Sequence, residues 1–131
     1  MGKENRKWSK KENEMYDLIT SVILYNSKYS DIEEYISQYF GKSINQKLVF
    51  VDNSEVDKIR EYINDIVGIN NYDIDYIFSG NNLGYGKGNN LAINKYLGQT
   101  KYFLISNLDI KFSIESIKQL IERADMIGEF G

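Results

Sequence analysis

Short apolar runs alternate along this chain with segments whose apolar residues recur at helical spacing. Four runs are rich in β-branched or aromatic residues, which is typical of buried strands. The segments between them repeat apolar residues every three to four positions, which predicts amphipathic helices. The predicted strands cover residues 19–25, 47–51, 74–78 and 102–105. A helix is predicted after each strand.

Serine and glycine residues mark where these helices are predicted to begin and end. Ser30, Ser54 and Ser113 precede apolar faces and are predicted N-caps, since a serine hydroxyl accepts a free N–H of the first turn. Gly41 and Gly68 are predicted to end the first two helices. Beyond the fourth helix, residues 126–130 are compatible with the start of a further strand.

This alternation predicts the fold class. Strands that alternate with helices form parallel sheets whose two faces are both covered by helices. We therefore expect an α/β protein, Rossmann-like, with a parallel sheet of about four strands and helices on both faces. Residues 1–16 are polar and are expected to form a flexible leader, and residues 17–131 are expected to form one α/β domain.

The composition removes several kinds of chemistry. The 131 residues contain no cysteine and no histidine, which excludes disulfides, thiolate nucleophiles and the Ser-His-Asp mechanism. The formal net charge of −3 argues against a nucleic-acid partner, because phosphate binding favours a basic face. Chemistry must therefore use carboxylates, hydroxyls, amides, lysines or a bound metal.

The sequence also predicts a location. No apolar run approaches the roughly 20 residues of a transmembrane helix, and the polar start lacks the apolar core of a signal peptide. We therefore expect a cytoplasmic protein. Trp8 lies among lysine and arginine residues, so a peripheral position at the inner face of the cell membrane stays open.

Polar residues directly follow each predicted strand. In parallel sheets, ligands bind beyond the carboxyl ends of the strands, where the strand order reverses. Asp52 is the candidate nucleotide contact, since a carboxylate there accepts hydrogen bonds from a ribose or a base. Asn107 and Asp109 offer an amide oxygen and a carboxylate, which suit Mg²⁺ or Mn²⁺ bound mainly through diphosphate oxygens. An ordinary turn is the alternative in each case, because Asp and Asn favour turns.

Residues 81–90 hold three alternating glycines flanked by asparagines. Such a segment indicates positive φ angles or backbone lying close to a ligand, with an exposed flexible loop as the alternative. Its N–H groups are candidates for phosphate binding, with Lys87 as a mobile positive charge. The spacing G-x-G-x-G after the third strand differs from the dinucleotide fingerprint, which follows the first strand.

Together these strand ends resemble the family-2 glycosyltransferases of GT-A fold, in particular the bacterial rhamnosyltransferase-type enzymes that build cell-surface polysaccharide. The family's Tyr-Asn pair is matched by residues 25–26, and its Val-Asp-Asn-Ser by residues 51–54. Its metal motif, Asn-Pro-Asp in this subgroup, reads Asn107-Leu108-Asp109. Its glycine–asparagine segment is matched by Asn82, Gly84, Tyr85, Gly88 and Asn90.

The resemblance implies inverting, metal-assisted transfer of a sugar from a nucleoside diphosphate to a cell-surface polysaccharide or glycolipid. In the family the aspartate after the second strand binds the nucleobase, and the metal is Mg²⁺ or Mn²⁺, here held by Asp109 and Asn107. The donor is expected to be dTDP- or UDP-linked. The implied nucleotide-sugar-binding residues are Tyr25, Asn26, Asp52, Asn82, Gly84, Lys87, Gly88 and Asn90.

In the family the acceptor half, which carries the catalytic base, follows the metal motif. We therefore expect this chain to be the N-terminal, nucleotide-sugar-binding half, and we assign no catalytic base. A sheet edge left unpaired would favour a homo-oligomer or a partner subunit. A non-catalytic nucleotide-binding or assembly module is the alternative function. A Rossmann-type oxidoreductase fragment is disfavoured by the position of the glycine-rich segment.

Overall fold

A computed structural model gives the structure of the protein and describes residues 15–40 and 44–130. The predicted leader, apart from its last two residues, and the predicted helix end at Gly41 lie outside the described residues. Tyr16 already belongs to the first strand. Within the described ranges, no helix has the length and hydrophobicity needed to cross a membrane.

Strands and helices alternate along the described chain in the predicted order. The strands are β1 (Tyr16–Leu24), β2 (Gln46–Asp52), β3 (Ile74–Phe78) and β4 (Thr100–Ser106). The helices are α1 (Tyr29–Tyr39), α2 (Arg60–Asn70), α3 (Tyr85–Lys95) and α4 (Ile114–Phe130).

The four strands form one parallel sheet in the order β3-β2-β1-β4. Val22 in the middle strand β1 is paired with Phe50 of β2 on one side and with Ser106 of β4 on the other. The chain steps from β1 to β2 to β3 in one direction and then returns to the other side of β1. The strand order therefore reverses between β1 and β4, and the predicted α/β fold is confirmed.

Side chains alternate between the two faces of the sheet, and each face has its own apolar cluster. The first cluster joins the sheet to α1, α2 and α4 and includes Leu48, Phe50, Tyr35, Ile63 and Ile117. The second joins the sheet to α3 and includes Ile19, Val49, Val51, Ala92 and Tyr96. Full burial of such a side chain contributes roughly 1.5–3 kcal/mol. Helices thus hold both faces of the sheet.

The predicted serine caps are right at one helix and wrong at two. Ser113 Oγ accepts the N–H of Ser116 at 3.2 Å, as an N-cap does. Ser30 lies inside the first turn of α1, and no side chain caps that helix. Ser54 lies well before α2, because its hydroxyl instead accepts the N–H of Asn26 at 2.7 Å and ties two strand ends together.

Two predicted ends are also wrong. Helix α2 continues past Gly68 and ends at Asn71, whose φ of 58° is left-handed and whose N–H bonds to the Val67 carbonyl at 2.8 Å. Asparagine tolerates this conformation because its short polar side chain bonds locally. Helix α4 continues to Phe130, so residues 126–130 are not a strand. Ile127 extends the helical spacing set by Ala124.

Candidate functional site

Among the cavities at the carboxyl edge of the sheet, one of about 320 Å³ lies against β4 and α4, and two others are lined by predicted site residues at the strand ends. The larger, about 420 Å³, opens where the strand order reverses, and its lining includes Ile23, Asp31, Gln38, Tyr85, Asn107 and Asp109. The smaller, about 250 Å³, lies at the ends of β1 and β2 and is lined by Asn26, Ser27, Ser54, Val56, Lys58 and Ile59. Both positions agree with the rule for open α/β sheets.

Asp52 ends β2 and is fully buried, at 0% exposure. Its Oδ1 accepts the N–H of Ser54 at 3.0 Å, and its Oδ2 accepts the hydroxyl of Tyr76 at 2.5 Å. A buried carboxylate needs such partners, because an unpaired buried charge is costly. The candidate nucleotide contact therefore lies at the expected strand end, with a hydrogen bond already on each oxygen.

Tyr76, in the edge strand β3, links Asp52 to a second carboxylate. Its hydroxyl also lies 3.2 Å from Asp57 Oδ1, while Arg60 Nε donates to Asp57 Oδ2 at 2.8 Å. Burial, together with the neighbouring Asp52, raises the pKa of Tyr76. Burial alone would raise the pKa of Asp57, but its hydrogen bonds to Arg60 outweigh this and lower it. The hydroxyl therefore stays protonated beside two carboxylates.

Asn53, the residue after Asp52, serves the opposite face of the sheet and anchors the start of α3. Its Nδ2 donates to the Gly84 carbonyl at 3.2 Å, and its Oδ1 accepts the Ser79 hydroxyl at 3.0 Å. A Cβ at Gly88 would lie 3.0 Å from Asn53 Nδ2 and 2.7 Å from Ile23 Cδ1. Glycine is needed at position 88 because the helix approaches the strand so closely.

The glycine-rich segment is a turn that leads into a helix, and the predicted positive φ is found at Gly84. Residues 85–90 belong to α3. Gly84 precedes the helix with φ of 86°, a conformation that favours glycine, and its N–H bonds to Asn82 Oδ1 at 3.1 Å. Lys87 and Asn90 are exposed on the helix. The second half of the segment is therefore helical, which differs from the exposed flexible loop given as the alternative.

A buried pair explains why the helix begins this early. The Ser21 hydroxyl, within β1, donates to Asn89 Oδ1 at 2.7 Å, and Asn89 Nδ2 donates to the Tyr85 carbonyl at 3.0 Å. Both side chains are buried, so their polar groups must find partners within the protein. The sequence feature that could have indicated this contact is Ser21, a polar residue inside the apolar strand β1.

The end of β1 carries the predicted pair Tyr25 and Asn26. Tyr25 is about half exposed, and its N–H bonds to Ser27 Oγ at 3.1 Å. Asn26 has φ of 49°, and its N–H bonds to Ser54 Oγ at 2.7 Å. These contacts lock the β1 turn against the β2 turn, and they leave the ring of Tyr25 facing outward from a fixed backbone.

The end of β4 presents the candidate metal ligands. Asn107 and Asp109 are exposed, and both line the larger cavity. A bond of 3.3 Å from the Ile110 N–H to the Asn107 carbonyl closes the turn between them. Among the residues that the structure describes, the Asp109 carboxylate has neither a hydrogen bond nor an ion pair. It is therefore available to a ligand.

The same loop is fixed to α1 at its far end. The Phe112 N–H donates to Gln38 Oε1 at 3.1 Å, and Lys111 forms an ion pair with Glu34. The Phe112 ring packs edge-on against Tyr35, with ring centroids 5.4 Å apart. The loop is therefore held by α1, while Asp109 itself stays free.

Asn107 and Asp109 could supply only part of the coordination shell of a divalent cation. No group of three or more acidic, histidine or cysteine side chains within residues 15–40 and 44–130 could enclose a metal. A free carboxylate beside an amide oxygen suits Mg²⁺ or Mn²⁺, which keeps most of its coordination for waters and phosphate oxygens. The donor set therefore fits a cation that arrives with a diphosphate, not a resident one.

Sequence reasoning missed four residues of this edge, namely Asn53, Asp57, Tyr76 and Ser79. Asn53 belongs to the motif matched by residues 51–54, but within that motif a role was predicted only for its neighbour Asp52. Conversely, Tyr25, Lys87 and Asn90 line none of the cavities at this edge, and neither does the fully buried Asp52. The Asn82 side chain and the Gly84 backbone shape the turn before α3.

Comparison with known proteins settles the family. The family model described as "Glycosyl transferase family 2" matches residues 21–129. The chain belongs to glycosyl transferase family 2. The chain is also 30% identical over 113 residues to "Low-salt glycan biosynthesis hexosyltransferase Agl10" of Haloferax volcanii, covering 85% of this chain and 34% of that protein. This family 2 chain thus spans about a third of that relative, and its membership replaces the oxidoreductase alternative.

Solved structures agree on the fold. Crystal structures of S. aureus TarS align with this family 2 chain at 18% identity: one, of residues 1–349, gives a TM-score of 0.66, and another gives 0.65. Each alignment covers 84% of this chain but only 32% and 20%, respectively, of the TarS chain. A structure of GalNAc-T7 with UDP, GalNAc and Mn²⁺ aligns over 62% of this chain at 10% identity, with a TM-score of 0.50. These likenesses support the same α/β architecture.

Proposed function

We propose that this chain forms the nucleotide-sugar-binding part of a glycosyltransferase. The observation that carries the proposal is the free Asp109 carboxylate on the cavity where the strand order reverses, in a family 2 chain. Ligands of open α/β sheets bind at such a reversal point. The expected ligand is a nucleoside-diphosphate sugar, dTDP- or UDP-linked.

The start of α3 supports a position for the diphosphate. No side chain caps this helix, its first turn holds no acidic residue, and Lys87 lies in that turn. The N-terminus of a helix attracts anions because its first N–H groups are unpaired and its dipole is positive there. Tyr85, half-exposed at this end, borders the same cavity. We place the diphosphate between this helix end and Asp109.

The proposed roles of the remaining residues follow from their positions. Asp109 and Asn107 would hold Mg²⁺ or Mn²⁺, which would neutralise charge on the departing nucleoside diphosphate. Asp52 would fix the nucleobase, and Tyr25 offers an exposed ring on which a base can stack. Asn26, Asn82, Gly84 and Gly88 would shape the backbone around the donor, and Asn90 is an exposed residue of α3 in the proposed set.

The reaction we propose for the whole enzyme is inverting transfer to a glycan or lipid-linked acceptor. An acceptor hydroxyl loses its proton to a base and attacks the anomeric carbon, while the bond to the diphosphate breaks. We assign no base in this chain. The name of the H. volcanii relative supports a hexosyl donor and a glycan acceptor, and rhamnose is a deoxyhexose. A rhamnosyltransferase-like subgroup, a bacterial source and work at the inner face of the membrane remain parts of the proposal.

Titration calorimetry with UDP and with dTDP, each with and without Mn²⁺, tests the donor site. We expect binding that strengthens with Mn²⁺, because Asp109 would hold the cation and the cation would offset the charge of the diphosphate. Asp109→Ala should abolish the effect of Mn²⁺ and leave the weaker metal-free binding. Asp65→Ala is the matched control, since Asp65 is also exposed but lies on α2, away from the site. The absence of nucleotide binding in every condition would refute the proposal.

A non-catalytic nucleotide-binding or assembly module is the second candidate. It would need no catalytic base, and none is assigned among the described residues. A transfer assay with UDP-sugars and glycan acceptors separates the two, provided that the chain is tested alone and together with a candidate partner subunit. Transfer under either condition would favour the enzyme. Binding without transfer under both would favour the module.

A further inference from the structure

Positive charge is scarce on the wall of the larger cavity. Among the described residues that line this cavity, Lys111 is the only lysine or arginine, whereas three carboxylates line it, those of Asp31, Glu34 and Asp109. A nucleoside diphosphate would add further negative charge to the same cavity. Because like charges repel, the diphosphate needs a cation beside it. Lys111 is a cation that the chain itself can supply there, in addition to a bound metal.

Lys111 has a fixed backbone and an exposed side chain. It lies two residues after Asp109, in the loop that follows β4. The next residue, Phe112, is held by α1, since its N–H donates to Gln38 Oε1 at 3.1 Å. The Lys111 side chain is 68% exposed, and its ammonium forms an ion pair with the Glu34 carboxylate. The loop therefore keeps the base of this lysine at the cavity, while the ammonium stays accessible from solvent.

The ion pair with Glu34 can be exchanged for a phosphate at little cost. Both side chains are more than half exposed, and ion pairs between exposed side chains contribute little to stability. A lysine ammonium binds phosphate as a point charge, without the fixed geometry that an arginine requires. A diphosphate in the cavity and the Glu34 carboxylate would therefore compete for the same ammonium.

We infer that Lys111 is a diphosphate-binding residue of the donor site, and that Glu34 holds its ammonium until the nucleotide arrives. The inference rests on the proposed donor site. It adds a second positive side chain to Lys87, which was predicted from the sequence and does not line this cavity. Part of the affinity for the nucleotide should then be independent of metal and should depend on Lys111.

Calorimetric titration of the full chain with UDP in excess EDTA separates this contribution from that of the metal. Lys111→Met keeps a long side chain and removes the charge. The affinity for UDP should fall about tenfold, because an interaction between two charged groups is lost. Glu34→Gln removes the competing carboxylate and should raise the affinity about two- to threefold. The opposite signs identify the exchange, since damage to the fold would lower the affinity in both variants.

Lys101→Met is the matched control. Lys101 is also an exposed lysine with an acidic partner, Asp17 at 3.6 Å, but it lies at the start of β4, at the opposite edge of the sheet. Its replacement removes one positive charge from the protein without changing the cavity. The affinity for UDP should therefore stay the same.

An affinity that does not fall in Lys111→Met would overturn the inference and leave the donor site standing. An affinity that does not rise in Glu34→Gln would overturn the role given to Glu34. A fall in Lys101→Met as large as that in Lys111→Met would show an effect of net charge alone and would also overturn the inference. A wild-type chain that binds UDP only with Mn²⁺ would overturn the inference alone, whereas one that binds no UDP in either condition would overturn the donor site as well.

Discussion

The two sides of the candidate site are built in opposite ways. On the β2 side, Asp52 is fully buried and each of its oxygens holds a hydrogen bond. On the β4 side, Asp109 is exposed and has no partner among the residues described. We call these the closed side and the open side. The protein itself organises one wall of the candidate site, and we propose that a ligand organises the other.

This division has a physical logic. A carboxylate that recognises a base gains from being held in one direction, because less entropy is then lost on binding. A carboxylate that shares a cation with a diphosphate must stay accessible, because the cation keeps several ligands from water and phosphate. Substitutions on the closed side should therefore change the stability of the protein, whereas substitutions on the open side should change its binding of nucleotide and metal. Comparing the two kinds of variant is the sharpest test.

The largest expected effect is the loss of the carboxylate on the closed side. Asp52→Ala leaves the Ser54 N–H and the Tyr76 hydroxyl without an acceptor, which should lower the free energy of unfolding by about 3 kcal/mol. Asp109→Ala should change it by less than about 0.5 kcal/mol, as for other exposed sites. Urea denaturation of the two variants measures both. Equal losses of unfolding free energy in the two variants would contradict the distinction between the closed side and the open side.

Two neighbouring glycines give the next largest contrast. Gly88→Ala should lower the free energy of unfolding by about 2 kcal/mol, because the new Cβ would meet Ile23 and Asn53. Gly86→Ala is the matched control in the same helix, where a Cβ meets nothing within 4 Å. Alanine should raise stability there by up to about 1 kcal/mol. Thermal and urea unfolding of both variants would show whether the contact matters more than helix propensity.

A smaller effect is expected at the hydroxyl that links β3 to β2. Ser79 Oγ lies 2.7 Å from the Asn81 carbonyl, 3.0 Å from Asn53 Oδ1 and 3.1 Å from the Asp52 carbonyl. Ser79→Ala should cost about 1 kcal/mol in unfolding free energy. Ser37→Ala, which removes an exposed hydroxyl from α1, should cost nothing or add slight stability. A cost at position 37 as large as that at position 79 would contradict this view of the closed side.

The smallest effect is a pH dependence that the closed side should show. The hydrogen bonds from Arg60 hold the pKa of Asp57 below its usual 3.8, against the effect of burial. Its contribution is therefore present above about pH 4 and is lost as the pH falls through the lower, folded value. Asp57→Asn should remove this acid loss, which is under about 1 kcal/mol for an exposed pair. Unfolding curves of both proteins from pH 6 to pH 3 test the difference.

The sequence was sufficient for the architecture because its signals are local. β3 spans the predicted residues 74–78, and the alternation of elements identified the parallel sheet. The position of Asp52, Asn107 and Asp109 after strands followed from the same pattern. The Ser113 cap could be predicted because its partner lies three residues away.

The missed features all depend on contacts between distant parts of the chain. The β2–β3 register pairs Phe50 with Tyr76. Asp52 lies two residues after Phe50, so its side chain is on the same face of the sheet as that of Tyr76. Helix α3 begins inside the glycine-rich segment because Ser21 bonds to Asn89, 68 residues away. The close approach of Gly88 to Asn53 also joins residues that are far apart in the sequence. Periodicity and spacing carry no information about such register-dependent neighbours.

Helix α3 also couples the site to a distant part of the molecule. Among the described residues it alone supplies the helical half of the second apolar cluster, through Ala92 and Tyr96, while its first turn borders the larger cavity. A ligand bound at that turn would stabilise the folded, hydrogen-bonded state of the helix. Local unfolding along the helix would then become less frequent. Amide hydrogen exchange near Tyr96, at the far end of the helix, should therefore slow when nucleotide binds and report occupancy from outside the site.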